Sequence, residues 1–298
     1  MILVVGATGL LGGAITQMLL TQDRDVRILV RHNSPSAAMA AQGMATAAQT
    51  LIDRGAQPVY GDMKDRASLD DAMAGVDTVI TTANSVLRGG EDTVETVDLQ
   101  GNLNLIDAAW RAGVKRFIFV SALGANVDSS IPLMRYKAQA EAALRASGMN
   151  TTILAPNLLA EIWVGAVVGA PLQAGQPVTL VGEARRRHSF VSLRDVASFA
   201  VAAVDNPAAR NASFPIGGPE GLSWRDVVAG VEGVLGQKVP VHFVEPGAPV
   251  PFVPEAVQQS LAVQDTYDSI IPMDEIAAAY GVTLTPVSTV LQQMFGPR

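Results

Sequence analysis

The sequence predicts an α/β protein: a doubly wound parallel sheet with a smaller, interleaved C-terminal lobe. Three observations predict it. Short apolar runs rich in β-branched residues recur along the first half, helical patterns separate them, and a glycine-rich turn joins the first run to the first helix. Continuous apolar runs are the mark of strands buried on both faces, and strands that alternate with helices pair in parallel.

Met1 to Val5 (MILVV) reads as the first strand, followed by Gly6 to Gly13 and a helix from Ala14 to Leu20. Asp25 to Val30 is the second strand, residues 36–54 an alanine-rich helical stretch, and Gln57 to Tyr60 the third strand, ended by Gly61 and Asp62. Ser68 and Asp71 stand in capping-box spacing at the start of a helix to Ala74. Strands follow at Asp77–Thr81, Lys115–Val120 and Asn150–Leu154, with helices at Thr96–Ala112 and Pro132–Ser147 between them.

After Pro156 the pattern loosens. Residues 157–170 read as helix, Val178–Val181 and Ser189–Val191 as short strands, and Arg194–Val204 as a helix that Asp195 caps. Ser213–Ile216 reads as one more strand of the main sheet, Gly221–Leu235 as a helix capped by Ser223, and 245–254, with four prolines, as a loop before small terminal helices. The division expected is a dinucleotide-binding domain at 1–156 with returning segments at about 187–217, and a substrate lobe at 157–186 and 218–298.

With 49% hydrophobic and 16% charged residues the composition is that of a globular chain. A net charge of −7 repels phosphate backbones, so no nucleic-acid partner is expected. The chain has no cysteine, which excludes disulfides, thiolate zinc sites and a cysteine nucleophile. No secretory signal and no membrane span are read, so the expectation is a cytoplasmic monomer or homodimer that acts on a small molecule. His32, His188 and His242 are scattered without metal-ligand spacing, and no metal is expected.

Gly6, Gly9 and Gly12 form G-x-x-G-x-x-G directly between a strand and a helix, the context that gives such a motif meaning. One glycine makes the tight turn, one lets backbone approach a pyrophosphate, and one lets helix and strand pack closely. The helix N-terminus then offers free N–H groups and a positive dipole end, and Thr8 a hydroxyl. The end of the second strand separates NAD from NADP. No carboxylate stands in Arg31-His32-Asn33-Ser34, and Arg31, 19 positions after Gly12, suits a 2′-phosphate, so the cofactor expected is NADP(H), with NADPH preferred to NADH.

GATGLLGG, the LVR end of the second strand, Gly61-Asp62 and FVSALGA resemble the atypical short-chain dehydrogenases, and within them the NmrA-like group of NAD(P)H-dependent reductases, which also includes a non-catalytic redox-sensing regulator. Lys137-Ala-Gln-Ala-Glu141, Thr152-Ile-Leu-Ala-Pro156, Ser189 to Ala197 and Pro215 to Pro219 extend the resemblance over nearly the whole chain. It implies that Gly6, Thr8, Gly9, Leu10, Leu11 and Gly12 hold the pyrophosphate and Arg31 the 2′-phosphate. Asp62 and Met63 would flank the adenine, and Thr82, Ala83 and Asn84 would line the ribose side. Ser121 would sit near the nicotinamide, Lys137 would bond its ribose, and Pro156, Asn157 and Leu158 would close over it. Ser121 and Lys137 are the catalytic candidates.

One departure matters. Short-chain dehydrogenases carry Tyr-x-x-x-Lys, but Leu133 stands four before Lys137, and Tyr136 lies about 100° around the helix. The usual proton donor is missing. His188 reads either as a structural residue or as a pocket acid that replaces it. Arg185-Arg186-Arg187 reads as a solvated turn or an anion site, and Glu161 and Trp163 as pocket residues or helix packing. The function expected is NADPH-dependent reduction of a conjugated acceptor (quinone, enone, imine or dye), in which charge spreads and a phenolic acid is less needed. The alternative is a non-catalytic NADP(H) sensor.

Overall fold

The computed structural model describes residues 1–32, 46–86, 90–253 and 255–297. Eleven strands occur there: β1 (Ile2–Val5), β2 (Val26–Val30), β3 (Gln57–Tyr60), β4 (Thr78–Thr81), β5 (Arg116–Val120), β6 (Asn150–Pro156), β7 (Val178–Val181), β8 (His188–Ser189), β9 (Ala212–Ile216), β10 (Gly221–Leu222) and β11 (Val241–Val244). Seven form one sheet in the order β3-β2-β1-β4-β5-β6-β9. The pairings of β1 with β2 and β4, of β2 with β3, and of β5 with β4 and β6 are all parallel. The expected doubly wound sheet is therefore present, with β9 as its added strand. The order reverses at β1 and β4, and such a switch point is where a ligand finds a crevice at the carboxyl ends of the strands.

The chain divides into two compact units. The first is Met1–Ala155, Val196–Phe214 and Ala279–Val282; the second is Pro156–Asp195, Pro215–Ala278 and Thr283–Arg298. The returning segment, Val196–Phe214, is shorter than the 187–217 read from the sequence. The reason is that His188 and Ser189 pair antiparallel with Leu222 and Gly221 inside the second unit. In the first unit, Leu3, Val79, Phe117 and Ile153 of the sheet pack with Leu105 and Leu144 of helices. Burying each such side chain contributes about 1.5–3 kcal/mol. In the second, the helices Trp224–Leu235 and Val287–Phe295 meet through Val227, Val231, Val290 and Leu291, and β7 pairs in parallel with β11, a strand the sequence reading missed.

Several local readings change. The helix starting near Ser68 runs Arg66–Met73 and is capped by Asp65, which accepts from Ala67 N; Ser68 lies inside the first turn and donates back to the Asp62 and Asp65 carbonyls. The expected helix Thr96–Ala112 is a π-helical segment, Val94–Gly101, that passes into the α-helix Asn102–Arg111. The 157–170 helix is likewise broken, as Ala160–Val164, a π turn at Gly165–Gly169, and Ala170–Gln173. Most of the alanine-rich stretch at 36–54 lies outside the described residues, which hold only its end as the helix Ala48–Ile52. Ser223 caps its helix as expected, in a reciprocal box with Asp226. Among the described residues no helix is long and apolar enough to cross a membrane, and no group of three or more His, Asp or Glu could hold a metal.

Candidate functional site

The glycine turn leaves β1 at Gly6, whose φ of +84° is left-handed and suits glycine. A Cβ at Gly12 would lie 2.2 Å from the Gly6 carbonyl oxygen, so this glycine lets the helix Leu10–Thr21 start against the turn itself. Gly9 differs from the sequence reading. Its φ of −77° and ψ of 165° are ordinary extended backbone, and a Cβ there would meet only the Gly6 oxygen, at 3.2 Å. A side chain at Gly9 would press on one backbone oxygen, a far milder contact than at Gly12, and its Cβ would meet nothing else within 4 Å. Gly9 is also the N-cap, without a side-chain acceptor and with no acidic residue in the first turn. The first N–H groups, including those of Leu10, Leu11 and Gly12, have no acceptor four residues back within the helix and remain available to an anion.

Beside this turn is a cleft. Of the residues expected at a cofactor, it is lined by Gly6, Thr8, Arg31, Asp62 and Met63, with Ala83 and Asn84 on the β4 side. Thr82 stands just behind, where its Oγ1 would be 2.7 Å from a Cβ at Gly6. Two residues the sequence reading did not single out complete the charged end. Arg31 Nη1 donates to Asp92 Oδ2 at 2.7 Å, and Lys64 Nζ donates to Asp92 Oδ1 at 2.8 Å. Asp62 Oδ2 lies 3.9 Å from Arg31 and 3.8 Å from Lys64. Burial would raise the Asp92 carboxyl, but the hydrogen bonds from Lys64 and Arg31, with their charges, outweigh it and hold it below the usual carboxylate range. The bond to Asp92 holds the Lys64 ammonium above its ordinary value. Thus no carboxylate directly follows Arg31 along the chain, but Asp62 and Asp92 reach it from other loops. Lys64 was legible as the residue after Asp62-Met63; Asp92 sits in no motif.

Deeper in the first unit, at the end of β5, are Ser121 and Lys137. Lys137 lies on the helix Pro132–Ala146, buried, with Nζ 3.4 Å from Val120 O, 3.6 Å from Asp98 Oδ1 and 5.2 Å over the Phe119 ring. Asp98 is fully buried on the π-helical segment, and its Oδ2 accepts from Ser85 N at 3.1 Å and Ser85 Oγ at 2.8 Å. One carboxylate thus braces both the loop after β4 and the Lys137 ammonium, a role the sequence reading missed. Such wide turns often stand at functional positions. Ser121 Oγ donates to Glu141, one turn beyond Lys137, and Glu141 Oε2 pairs with Arg145 at 3.0 Å. Tyr136 is half-buried, with the Arg135 guanidinium 5.3 Å over its ring.

The remaining candidates lie in the second unit, where most are engaged in packing. Asn157 N donates to Ile216 O at 2.8 Å, and its amide donates to Ser269 O at 2.9 Å and Oγ at 3.0 Å. Leu158 is buried, and Pro156 ends β6. His188 is 1% exposed, with Nδ1 2.7 Å from Ser269 Oγ, and burial pushes its imidazole below the ordinary value. Its burial and its bond to Ser269 support the structural reading of this histidine. Glu161 accepts from Ser192 Oγ at 3.0 Å and from Leu193 N at 2.8 Å, at the start of the helix Leu193–Ala202, while Trp163 packs on the core. The capping assigned to Asp195 therefore falls to Glu161 and Ser192. Asp195 instead clamps Thr285, accepting from its N and Oγ1 at 2.7 Å each. Arg185, Arg186 and Arg187 are exposed, and Arg187 is tied to Asp268 and Gly221.

A family model for the NmrA-like family matches residues 1–284. The chain belongs to the NmrA-like family. Among its relatives, an NAD(P)H azoreductase of Xenophilus azovorans is 30% identical over 244 residues, covering 82% of this chain and 76% of that protein. The photosystem II assembly factor Ycf39 of Cyanophora paradoxa is 31% identical over 252 residues, covering 82% and 73%. The fold is shared with Citrobacter sp. triphenylmethane reductase complexed with NADP(H), at a TM-score of 0.75 and 23% identity over 98% of this chain and 99% of that one. This NmrA-like chain thus has relatives that are reductases and relatives named for assembly.

Proposed function

We propose that this protein is an NADPH-dependent oxidoreductase that reduces a conjugated small-molecule acceptor, a dye or a quinone. The observation that carries the reading is the cleft lined by Gly6 and Thr8 of the glycine turn and by Arg31, with the uncapped helix N-terminus following that turn and Lys64 held to Asp92 of the cleft wall. These residues fit a dinucleotide with a 2′-phosphate: the open face at Gly9 leaves room for backbone-to-pyrophosphate contact, and paired cations suit a phosphate. Bound NADPH supplies the hydride. In the first unit, Gly6, Thr8, Gly9, Leu10, Leu11 and Gly12 would hold the pyrophosphate, and Arg31 the 2′-phosphate. Asp62 and Met63 would flank the adenine, Thr82, Ala83 and Asn84 the ribose, and Lys137 and Ser121 the nicotinamide end. The second unit is the substrate unit. Leu133 removes the phenolic acid, which suits acceptors whose developing charge is delocalised. The azoreductase relative supports a dye as acceptor.

The test is a panel of quinones, azo dyes and triarylmethane dyes with NADPH, followed by loss of reduced-nicotinamide absorbance. Turnover on a conjugated acceptor is expected. Tight cofactor binding with no turnover on any acceptor would replace this reading with that of a sensor.

A further inference from the structure

The proposed cofactor seat already holds an anion of the protein's own. Asp92 places one carboxylate oxygen on Arg31 and the other on Lys64, at 2.7 and 2.8 Å, and its side chain is 9% exposed. Asp62 stands 3.9 and 3.8 Å from the same two cations. Among the described residues, Arg31 and Lys64 stand against Asp62 and Asp92, so a phosphate dianion entering the cluster as it stands would meet two like charges at short range.

We infer that Asp92 is a resident surrogate for the 2′-phosphate, and that cofactor selection at this seat is an exchange of one anion for the other. This rests on the NADP(H) reading above. With Asp92 in place, the cluster is a hydroxyl acceptor and suits the free 2′-OH of NADH, which the usual acidic residue after the second strand holds in NAD binders. With the short Asp92 side chain turned away, Arg31 and Lys64 become a two-cation clamp for the 2′-phosphate of NADPH, and Lys64 is its second ligand. Asp92 therefore lowers the preference for NADPH below what two cations alone would impose and lets the chain bind both cofactors.

The probes are adenosine 2′,5′-bisphosphate against AMP, and NADPH against NADH, each titrated by calorimetry into the whole protein, so that no acceptor is needed. Asp92→Asn keeps size and removes charge. It is expected to raise the NADPH-over-NADH affinity ratio at least ~10-fold, about 1.4 kcal/mol, chiefly by tightening adenosine 2′,5′-bisphosphate. Asp92→Ser should move the ratio the same way if Asp92→Asn is poorly folded. Lys64→Met should weaken adenosine 2′,5′-bisphosphate about as much as Arg31→Ala does and leave AMP unchanged. An unaltered ratio in both folded Asp92 variants, with Lys64→Met and Arg31→Ala still weakening the bisphosphate, would overturn the surrogate role and leave the cofactor reading intact. Binding of neither NADPH nor NADH to the native protein would overturn both.

Discussion

Gly12→Ala sets two effects against each other, and the structure decides the winner. Alanine is favoured over glycine inside a helix by about 1 kcal/mol, so a helix scale alone expects stabilisation. The new Cβ, however, would lie 2.2 Å from Gly6 O, 2.6 Å from Gly6 C and 2.8 Å from Thr82 Oγ1. The two nearest atoms are backbone, so no rotamer change relieves the overlap. The helix must shift away from a turn that is itself held by Gly9 N bonding Gly6 O at 2.9 Å. Overpacking of this kind costs about 1–3 kcal/mol or more before any gain is set against it. The expected net is a loss of ~1–2 kcal/mol, read as a lower urea midpoint at unchanged slope. The control is Gly9→Val, where the backbone is extended and the Cβ meets one atom at 3.2 Å. That variant should fold with a midpoint lowered less than that of Gly12→Ala and lose NADPH binding, because its side chain enters the space before the helix. A Gly12→Ala protein as stable as the native one, or a Gly9→Val protein destabilised as much as Gly12→Ala, would refute the reasoning.

Three further outcomes are expected. Asp98→Ala strands the buried Lys137 ammonium and the Ser85 hydroxyl, and should destabilise the protein by about 3–5 kcal/mol in urea unfolding; a change within error would mean that Asp98 carries no structural charge pairing. Tyr136→Phe should keep turnover well short of the ~100-fold loss that removal of a general acid brings, as steady-state kinetics on the best acceptor will measure. His188 has a folded pKa depressed below 6.5, so its contribution to stability is full above that value and is lost as pH falls through the folded pKa. The urea midpoint should therefore drop as pH falls below 6.5, and more steeply than in His188→Gln; equal slopes would show that another group governs the acid side.

The sequence by itself determined the sheet and the place of the glycine turn. Apolar runs such as MILVV and RFIFV have few alternatives to buried parallel strands, and Gly6 and Gly12 mark a turn whose geometry is local. It also determined that Leu133 stands where a tyrosine is usual, since helix periodicity alone relates it to Lys137. Only tertiary structure decided which charges meet. Arg31 invited a reading as an unopposed cation because neighbours along the chain carry no carboxylate; Asp62 and Asp92 reach it from 31 and 61 positions away, across loops that no periodicity describes. Asp98 beside Lys137 depends on a π-helical segment, whose wider turn shifts side-chain phase away from the 3.6-residue pattern that sequence reading assumes. His188 and Glu161 were ambiguous for the same reason. A titratable side chain becomes structural or chemical according to its burial and partners, and those are set by segments such as the one bearing Ser269, 81 positions from His188.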